Sequence, residues 1–380
     1  MKTTRILFCG GGTGGHITPL AAVAETLTEA FSKSGRELEM HYLGGKHPYT
    51  GYLSERGVRV HRMLTGKFRR YFSLLNFIDV PKFLIGLVQA WCKLYFLMPD
   101  AVFSKGGPGA LPVVWAAWFY RIPVMIHDSD AIPGLTTLFS APFAKKIAAS
   151  FEDTLKYFNP QKAIFTGNPV RKALLSQKTD AGAAKSALGF DPTHPLILVL
   201  GGSQGARRIN ELVTLNLKPI LEEAQVLHQA GGANFLEIQK LSEAVLLDVP
   251  VKTEVANRYR LVPYLEEAEM ASALSAADLV ISRPGSSIFE IAAFGKPSIL
   301  IPLDGSARDH QRANAHVYGE KAGAGIVIEE GNLNVHILIH EIKKILGDPD
   351  LSGAMSQAAL RFARPDAADL VAKEILELLQ

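Results

Sequence analysis

The sequence predicts an α/β protein of two similar lobes, each a doubly wound parallel sheet with helices on both faces. At 380 residues the chain exceeds what one hydrophobic core usually supports. Its two halves also begin with the same pattern, a short apolar run followed by a glycine-rich turn, at 5–16 (RILFCGGGTGGH) and 196–206 (LILVLGGSQGA). A strand, a glycine turn and a helix in this order bind phosphate, so the repetition indicates one ligand held between two lobes.

Short apolar runs alternate with helical patterns along the chain, as in parallel sheets whose strands are joined by crossover helices. The predicted strands are 5–9, 39–43, 101–104, 124–127, 196–200, 279–282 and 298–302. The first helix is predicted to have Thr18 as its N-cap and Pro19 as its first residue. The first glycine turn would then present its amides at a helix N-terminus.

A polar, alanine-rich stretch with several glycines and prolines follows residue 171 and indicates a boundary between the lobes. We expect an N-terminal lobe over 1–170 and a C-terminal lobe over 171–361. The remaining residues, about 362–380, predict a terminal helix that packs back on the first lobe.

The composition is that of a globular protein, with 48% hydrophobic and 20% charged residues. A formal net charge of +3, without a basic run of interleaved aromatics on which bases could stack, argues against nucleic acid as a partner. Cys9 and Cys92 lie in apolar runs without metal-ligand spacing, so both are expected to be reduced core residues, with neither a disulfide nor a metal site.

No signal peptide precedes the first strand, and the apolar segments 84–98 and 110–126 are too short or too interrupted to span a bilayer. We therefore expect a cytoplasmic protein.

The first glycine turn fits the glycine pattern of dinucleotide sites. However, the second strand is followed by Gly44–Lys46 rather than by the carboxylate that holds an NAD ribose, so NAD is disfavoured. A 2′-phosphate cofactor and a purely structural tight turn stay open. His16 ends the turn at the mouth of the helix, where a neutral imidazole suits a general base, and Thr13 offers its hydroxyl to the same ligand. A cap or packing role is the alternative for His16.

A third turn, SKGGPG at 104–109, follows another predicted strand. The amides of Gly106 and Gly107 suit a second phosphate, on a second substrate. The alternative is that these glycines and the proline only form an ordinary loop.

In the second lobe, the segment SRPGSSIFE at 282–290 combines a strand end, a turn of small residues and a helix start. The amides around Ser286 and Ser287 suit a diphosphate, and Glu290 suits the two hydroxyls of a ribose. The alternative is that Glu290 only complements the helix dipole.

Polar side chains also follow the strand that is predicted to end at Pro302. Gln311 and Asn314 lie at the carboxyl edge of the sheet and suit sugar hydroxyls. A solvated loop is the competing interpretation.

The segment 59–98 places basic residues among aromatic and aliphatic ones, which is what an interfacial segment needs to lie on anionic lipid. A buried helix with a basic rim is the alternative. The residues expected to face the membrane are Lys67, Arg69, Arg70, Phe77, Phe83, Leu84 and Trp91.

These motifs, in this order and together with GNPVR at 167–171, closely resemble the MurG family of bacterial N-acetylglucosaminyltransferases, over nearly the whole chain. The resemblance implies a GT-B fold of two Rossmann-like lobes with UDP-N-acetylglucosamine in the cleft. It implies inverting transfer of the sugar to the C4 hydroxyl of the muramoyl sugar of undecaprenyl-pyrophosphoryl-N-acetylmuramoyl-pentapeptide (lipid I), which gives lipid II. It further implies no metal and no cofactor, a place on the inner face of the cell membrane beside anionic lipid, and other cell-wall synthesis proteins as partners.

Combined with the motifs above, the resemblance implies roles for single residues. The expected donor contacts are Thr13, Gly14, Gly15, Asp130, Arg171, Ser203, Leu265, Ser286, Ser287, Glu290, Gln311 and Asn314. Of these, Arg171 and Ser203 are expected near the donor diphosphate, and the Leu265 backbone at the uracil. The acceptor diphosphate is expected at Gly14, Gly106 and Gly107. His16 is the preferred candidate for the base, and Asp128 is the second.

Three departures from the family pattern affect these roles. Where relatives read His-Glu-Gln-Asn, the chain has HDSD at 127–130, so a carboxylate replaces the amide that usually contacts the donor. Pro108 and Ala110 replace the usual aromatic and serine of the acceptor turn. The segment 283–290 is one residue short, which leaves the register of Ser286 and Ser287 open by one position.

Two other functions stay open. One is another GT-B enzyme that uses a UDP-sugar, such as a glycolipid galactosyltransferase or a UDP-N-acetylglucosamine epimerase. The other is a sugar-nucleotide-binding subunit without catalysis of its own.

Overall fold

The computed structural model describes residues 3–11, 14–47, 49–66, 76–201, 206–247 and 257–380, without the side chains of 76–78 and 307. The chain divides into two compact units, Met1–Arg171 with Arg364–Gln380, and Lys172–Ala363. Among the described residues each unit holds one sheet, and every strand pair in both sheets is parallel. The predicted architecture of two parallel-sheet lobes is therefore confirmed.

The first unit is built on seven described strands. They are β1 (Thr4–Cys9), β2 (Leu38–Gly44), β3 (Val58–Arg62), β4 (Ala101–Ser104), β5 (Val124–Asp128), β6 (Lys146–Ala149) and β7 (Ala163–Phe165). Their order in the sheet is β3-β2-β1-β4-β5-β6-β7. The chain therefore reverses its direction of winding between β1 and β4, and in open α/β sheets ligands bind at the carboxyl ends of the strands beside such a point.

Helices cover both faces of this sheet. They are α1 (Gly14–Ser34), α2 (Thr50–Ser54), α3 (Asn76–Leu97), α4 (Ala110–Phe119) and α5 (Leu135–Ser140). Successive side chains of β1 point to opposite faces, so Ile6 and Phe8 pack with α1 while Leu7 and Cys9 pack with α3 and α4. Because both faces are buried, the strand appears in the sequence as an uninterrupted apolar run.

The second unit is built on six described strands. They are β8 (Leu196–Leu200), β9 (Gln225–Gln229), β10 (Tyr259–Val262), β11 (Leu279–Ser282), β12 (Ser298–Leu300) and β13 (Gly325–Val327). Their order is β10-β9-β8-β11-β12-β13, so the winding reverses between β8 and β11. The helices are α6 (Lys172–Ser176), α7 (Ala181–Ala187), α8 (Arg207–Leu215), α9 (Leu217–Glu223), α10 (Phe235–Leu247), α11 (Glu267–Ala276), α12 (Ser287–Ala293), α13 (His310–Ala315), α14 (Val335–Gly347) and α15 (Pro349–Phe362).

The last helix, α16 (Ala367–Glu377), belongs to the first unit, where it packs along α1. Val371 and Ile375 are buried in the same apolar cluster as Phe8. Lys146 of β6 forms ion pairs with Glu374 and, at 2.5 Å, with Glu377. Burial and these charges together fix the end of the chain on the first sheet.

The start of the first helix differs from the prediction. α1 begins at Gly14, so Thr18 and Pro19 lie inside the helix and not at its N-cap. Thr18 Oγ1 donates a hydrogen bond to the Gly14 carbonyl at 3.1 Å, and Pro19 costs the helix one main-chain hydrogen bond near its start. The helix nevertheless begins directly at the glycine turn, as the phosphate-binding interpretation requires.

Three expectations for α3 are wrong. The helix extends to Asn76, and by length and composition its part Asp79–Leu97 could cross a membrane, so this segment is not too short to do so. Cys92 is exposed rather than in the core. Phe83 was expected to face the membrane, but it is buried on the inner face of α3 and packs edge-on against Trp115, with 5.8 Å between ring centroids.

Candidate active site

Two of the predicted glycine turns meet at the switch point of the first sheet. Gly106 and Gly107 have φ angles of 76° and 88°, which side chains rarely adopt. A Cβ at Gly107 would overlap the main-chain carbonyl of Gly11, so the two turns are in contact through their backbones. The hydroxyl of Tyr42 donates a hydrogen bond to the Gly10 carbonyl at 2.5 Å and so holds the main chain of the first turn. The sheet thus brings the amides of both turns to one edge.

The first turn continues directly into α1. Gly14, Gly15 and His16 are the first three residues of this helix, and His16 is half-buried. Their main-chain N–H groups belong to the first turn of a helix, where intrahelical acceptors are missing and anions are stabilised. The predicted contact Thr13 lies outside the described residues.

A buried network under this edge was not predicted. Lys105 is 3% exposed, and its Nζ lies 2.7 Å from His127 Nδ1 and 3.0 Å from Asn168 Oδ1, and also bonds Ser129 Oγ. Because an ammonium only donates, His127 Nδ1 accepts and the Nε2–H donates to the Gly167 carbonyl at 3.0 Å. Ser129 Oγ in turn donates to Asn168 Oδ1 at 3.0 Å. All three donors of the ammonium are therefore satisfied.

The carboxylate of Asp128, the second candidate base, holds the loop that follows β5. Its Oδ1 accepts the N–H of Asp130 at 2.9 Å and its Oδ2 accepts the N–H of Gly134 at 3.1 Å. Burial, assisted by the charge of Asp130, raises the pKa of Asp128 to about 6. Both oxygens are thus engaged with the protein's own backbone.

Burial also shifts the pKa values of the network. Desolvation lowers the pKa of Lys105 to about 7, against the opposing charges of Asp128 and Asp130. Burial, followed by the charge of Lys105, holds the pKa of His127 well below its usual range, so this imidazole is neutral. Among the described residues, the charges that act on Lys105 are those of the carboxylates Asp128 and Asp130.

Arg171, expected near the donor diphosphate, is buried in the first unit beside α2. Its Nη1 donates to the hydroxyl of Tyr52 at 3.2 Å. The guanidinium of Arg56 stacks on the same ring, 3.6 Å from its centroid, and pairs with Glu25 of α1. The structure therefore assigns Arg171 a contact with Tyr52 that the sequence did not predict.

In the second unit, the turn after β11 is held from two sides. Arg283 donates to the Ile301 carbonyl at 2.9 Å and forms a buried ion pair with Glu330. Asn314 is 0% exposed, and its amide donates to the Pro284 carbonyl at 3.0 Å. The buried amide of Asn314 therefore holds the main chain of this turn at Pro284.

The other predicted residues of this turn lie at the start of α12. Ser286 precedes the helix and Ser287 begins it, with Ser287 Oγ 3.3 Å from Ser282 Oγ. Glu290 lies in the first turn and is half-buried. Near the next strand, Gln311 Oε1 accepts the N–H of Leu303 at 2.9 Å, which orients its amide.

Neighbouring groups also pack closely against the start of the second glycine turn, at Gly201. A Cβ at Gly201 would lie 2.8 Å from the Gln229 carbonyl and 3.0 Å from Asn210 Oδ1, so a side chain does not fit there. Asn210 is bonded by the buried His228, whose pKa burial lowers to about 3. Leu265 is buried, and Ser203 lies outside the described residues.

The outer face of α3 carries exposed apolar side chains. Leu84 is 56% exposed and Trp91 is 38% exposed. The same face and the adjoining end of α4 expose Val80, Ile85, Val88, Tyr95, Phe96, Trp118 and Phe119. Lys67, Arg69, Arg70 and the side chain of Phe77 lie outside what the structure describes. We call this surface the α3 face.

Two known domain families together match most of the chain. Residues 6–149 match the Glycosyltransferase family 28 N-terminal domain, and residues 196–371 match the Glycosyltransferase family 28 C-terminal domain.

Two curated relatives that match over nearly their whole length share the name UDP-N-acetylglucosamine–N-acetylmuramyl-(pentapeptide) pyrophosphoryl-undecaprenol N-acetylglucosamine transferase. The relative from Treponema denticola is 36% identical over 378 residues, covering 95% of this chain and 94% of that protein. The relative from Legionella pneumophila strain Paris is 37% identical over 350 residues, covering 91% and 90%.

Solved structures share the fold. MurG of Acinetobacter baumannii superimposes with a TM-score of 0.69 at 24% identity, covering 98% of this chain and 99% of that chain. A UDP-GlcNAc 2-epimerase from Neisseria meningitidis, bound to UDP-GlcNAc, superimposes with a TM-score of 0.67 at 15% identity, covering 98% of this chain and 100% of that chain.

Proposed function

Because this chain belongs to the MurG family of family 28 glycosyltransferases, we propose that it transfers N-acetylglucosamine from UDP-N-acetylglucosamine to undecaprenyl-pyrophosphoryl-N-acetylmuramoyl-pentapeptide. The C4 hydroxyl of the muramoyl sugar is the acceptor, so the reaction converts lipid I to lipid II, the last cytoplasmic step of peptidoglycan precursor synthesis. The observation that carries the proposal is identity of 36–37% over at least 90% of both chains with relatives of this one activity.

In the proposed reaction the acceptor oxygen attacks C1 of N-acetylglucosamine while the bond from C1 to the UDP oxygen breaks, with inversion at C1. His16, at the start of α1, takes the proton of the attacking hydroxyl. We favour His16 over Asp128 because both oxygens of Asp128 accept main-chain hydrogen bonds of its own loop.

We assign the acceptor diphosphate to the amides of Gly106, Gly107 and Gly14. The support is that the two turns are in backbone contact beside the switch point of the first sheet. Several N–H groups aimed at one place stabilise phosphate charge without a metal ion.

We assign the nucleotide to the second unit. Glu290 is proposed to bind the ribose hydroxyls, with the amides of Ser286 and Ser287 at the diphosphate and the Leu265 backbone at the uracil. Gln311 is proposed to contact the sugar, while Asn314, which is buried against the Pro284 carbonyl, positions the turn. Charge that grows on the leaving UDP would be stabilised by these preorganised dipoles.

We further propose that the α3 face binds anionic lipid on the inner face of the cell membrane. Its exposed Leu84, Val88 and Trp91 supply apolar contact. The basic residues predicted in the preceding segment, Lys67, Arg69 and Arg70, are proposed to supply the positive charge. Such a position brings the site to a lipid-linked acceptor.

The decisive experiment is transfer of radiolabel from UDP-N-acetylglucosamine to a lipid I analogue. We expect label in the lipid and release of UDP, with activity retained in EDTA. Absence of labelled lipid, with epimerised or hydrolysed donor instead, would support the epimerase alternative, whose solved structures are similar in fold at 15% identity. Donor binding without turnover would support the binding-subunit alternative.

A further inference from the structure

Lys105 connects three loops at the carboxyl edge of the first sheet. It follows β4 and immediately precedes the Gly106–Gly107 turn, while its ammonium bonds Ser129 after β5 and Asn168 after β7. Its main-chain N–H donates to the Cys9 carbonyl at 2.8 Å, and its Cβ would lie 3.2 Å from a Cβ at Gly10. A buried ammonium is costly unless it is bonded and its charge is compensated, so its presence requires an electrostatic reason.

The compensating charges lie on the loop after β5. Asp128 and Asp130 flank Ser129, which the Lys105 ammonium bonds, and their charges oppose the loss of the Lys105 proton. Thr137 of α5 hydrogen bonds the Asp128 side chain, and its Oγ1 would lie 3.5 Å from a Cβ at Gly106. One side chain therefore separates the Asp128 carboxylate from the turn assigned to the acceptor diphosphate.

We propose that Lys105 is a positioning residue whose buried positive charge offsets Asp130 and Asp128 and so allows this edge of the sheet to accept an anionic diphosphate. Ser129 and Asp130 are both departures from the family pattern noted above, and Lys105 acts on both of them, by a hydrogen bond and by charge. The inference rests on the proposed function, because it names the acceptor diphosphate as the anion.

The test is a double-mutant cycle with Lys105→Met and Asp130→Asn. The KM for a lipid I analogue and kcat are measured at saturating donor. Lys105→Met leaves two carboxylates without compensation, so we expect it to raise the acceptor KM. In the Asp130→Asn background, we expect the fold increase in the acceptor KM caused by Lys105→Met to be about 10 times smaller, because one of the two carboxylates is absent. Equal effects in both backgrounds would overturn the proposal.

Lys296→Met is the matched control. Lys296 is a second lysine whose pKa burial lowers, to about 8, and its Nζ bonds the Ser275 carbonyl in the other unit at 2.8 Å. Its replacement removes a partly buried ammonium, and we expect no coupling to Asp130→Asn. Equal coupling for both lysines would show a general effect of stability and would overturn the specific role.

A second measurement uses Asp130→Asn alone and does not depend on whether Lys105→Met folds. The Asp130 charge raises the pKa values of both Lys105 and Asp128, so its removal lowers both. His127 is neutral and adds no charge. Loss of the Lys105 proton removes the compensating charge, so in Asp130→Asn the alkaline limb of the pH profile of kcat/KM for the acceptor should shift to lower pH. An unshifted alkaline limb would contradict the proposal. If the unmodified protein transfers no label, the proposed function fails; if it transfers label without this shift, only the Lys105 inference fails.

Discussion

The main-chain carbonyl of Gly11 lies so close to the α-carbon of Gly107 that no side chain can be placed at position 107. This contact joins the turn after β1 to the turn after β4, across the point where the winding of the first sheet reverses. The main-chain N–H groups of both turns therefore lie at the same edge of the sheet. A single glycine turn could not provide as many of them.

We expect Gly107→Ala to destabilise the protein and to raise the acceptor KM. A left-handed φ costs an alanine about 1–2 kcal/mol, and overlap with the Gly11 carbonyl should add about 1–3 kcal/mol. Urea unfolding and acceptor kinetics measure the two effects. Gly189→Ala is the control, since Gly189 has a φ of 76° but a Cβ added there would meet no atom of the described residues within 4 Å, its chain neighbours aside. Equal losses of unfolding free energy in the two variants would show that the contact with Gly11 contributes nothing.

We expect His16→Ala to lower kcat by about 10²–10⁴-fold, the usual contribution of a general base, with little change in the Kd for UDP. Rapid-quench kinetics and calorimetry separate the two quantities. His336→Ala serves as the control, because His336 also lies in the first turn of a helix, α14, but in the second unit. A parallel loss of UDP affinity and turnover would instead identify His16 as a binding residue.

Seven of the thirteen described strands were predicted, because strands buried on both faces appear as uninterrupted apolar runs, and Ala101–Ser104, Leu196–Leu200 and Leu279–Ser282 have the predicted bounds. The four edge strands β3, β7, β10 and β13 were missed because they are only partly buried, and β6 and β9 were missed as well. The start of α1 was predicted wrongly. Proline prefers the first residue of a helix, so the prediction placed the start at Pro19, whereas the helix begins at Gly14. The burial of Phe83 was also missed, since α3 is apolar around much of its circumference and its pattern does not define the inner face.

The Lys105 network could not be found from local patterns. Its bonds join residues 24 and 63 positions apart, and only the parallel order of β4, β5, β6 and β7 brings them together. A lysine before two glycines looks like a solvated loop residue. The three departures in HDSD at 127–130 were the available signal, because substitutions that cluster on one loop suggest a changed partner elsewhere.

We expect Glu290→Gln to raise the KM for UDP-N-acetylglucosamine by about 10-fold or more with a smaller change in kcat, because a charge-assisted hydrogen bond to the ribose is lost. Initial-rate kinetics over a range of donor concentrations measures this. Glu237→Gln is the matched control, as Glu237 is a first-turn carboxylate of α10 that pairs with Arg207. If both variants leave the donor KM unchanged, Glu290 only complements the helix dipole.

We expect the pair Leu84→Ser and Trp91→Ser to reduce association with liposomes of anionic lipid by about 10-fold or more, because both side chains lose apolar area that would enter the lipid. Cosedimentation at low and high salt measures binding and separates the apolar part from the electrostatic part. The control pair is Leu215→Ser and Leu236→Ser, which are 57% and 69% exposed in the second unit. Thermal unfolding shows whether each variant is folded. Undiminished binding by the folded α3 variant, or equal loss in the control pair, would place the membrane contact elsewhere on the protein.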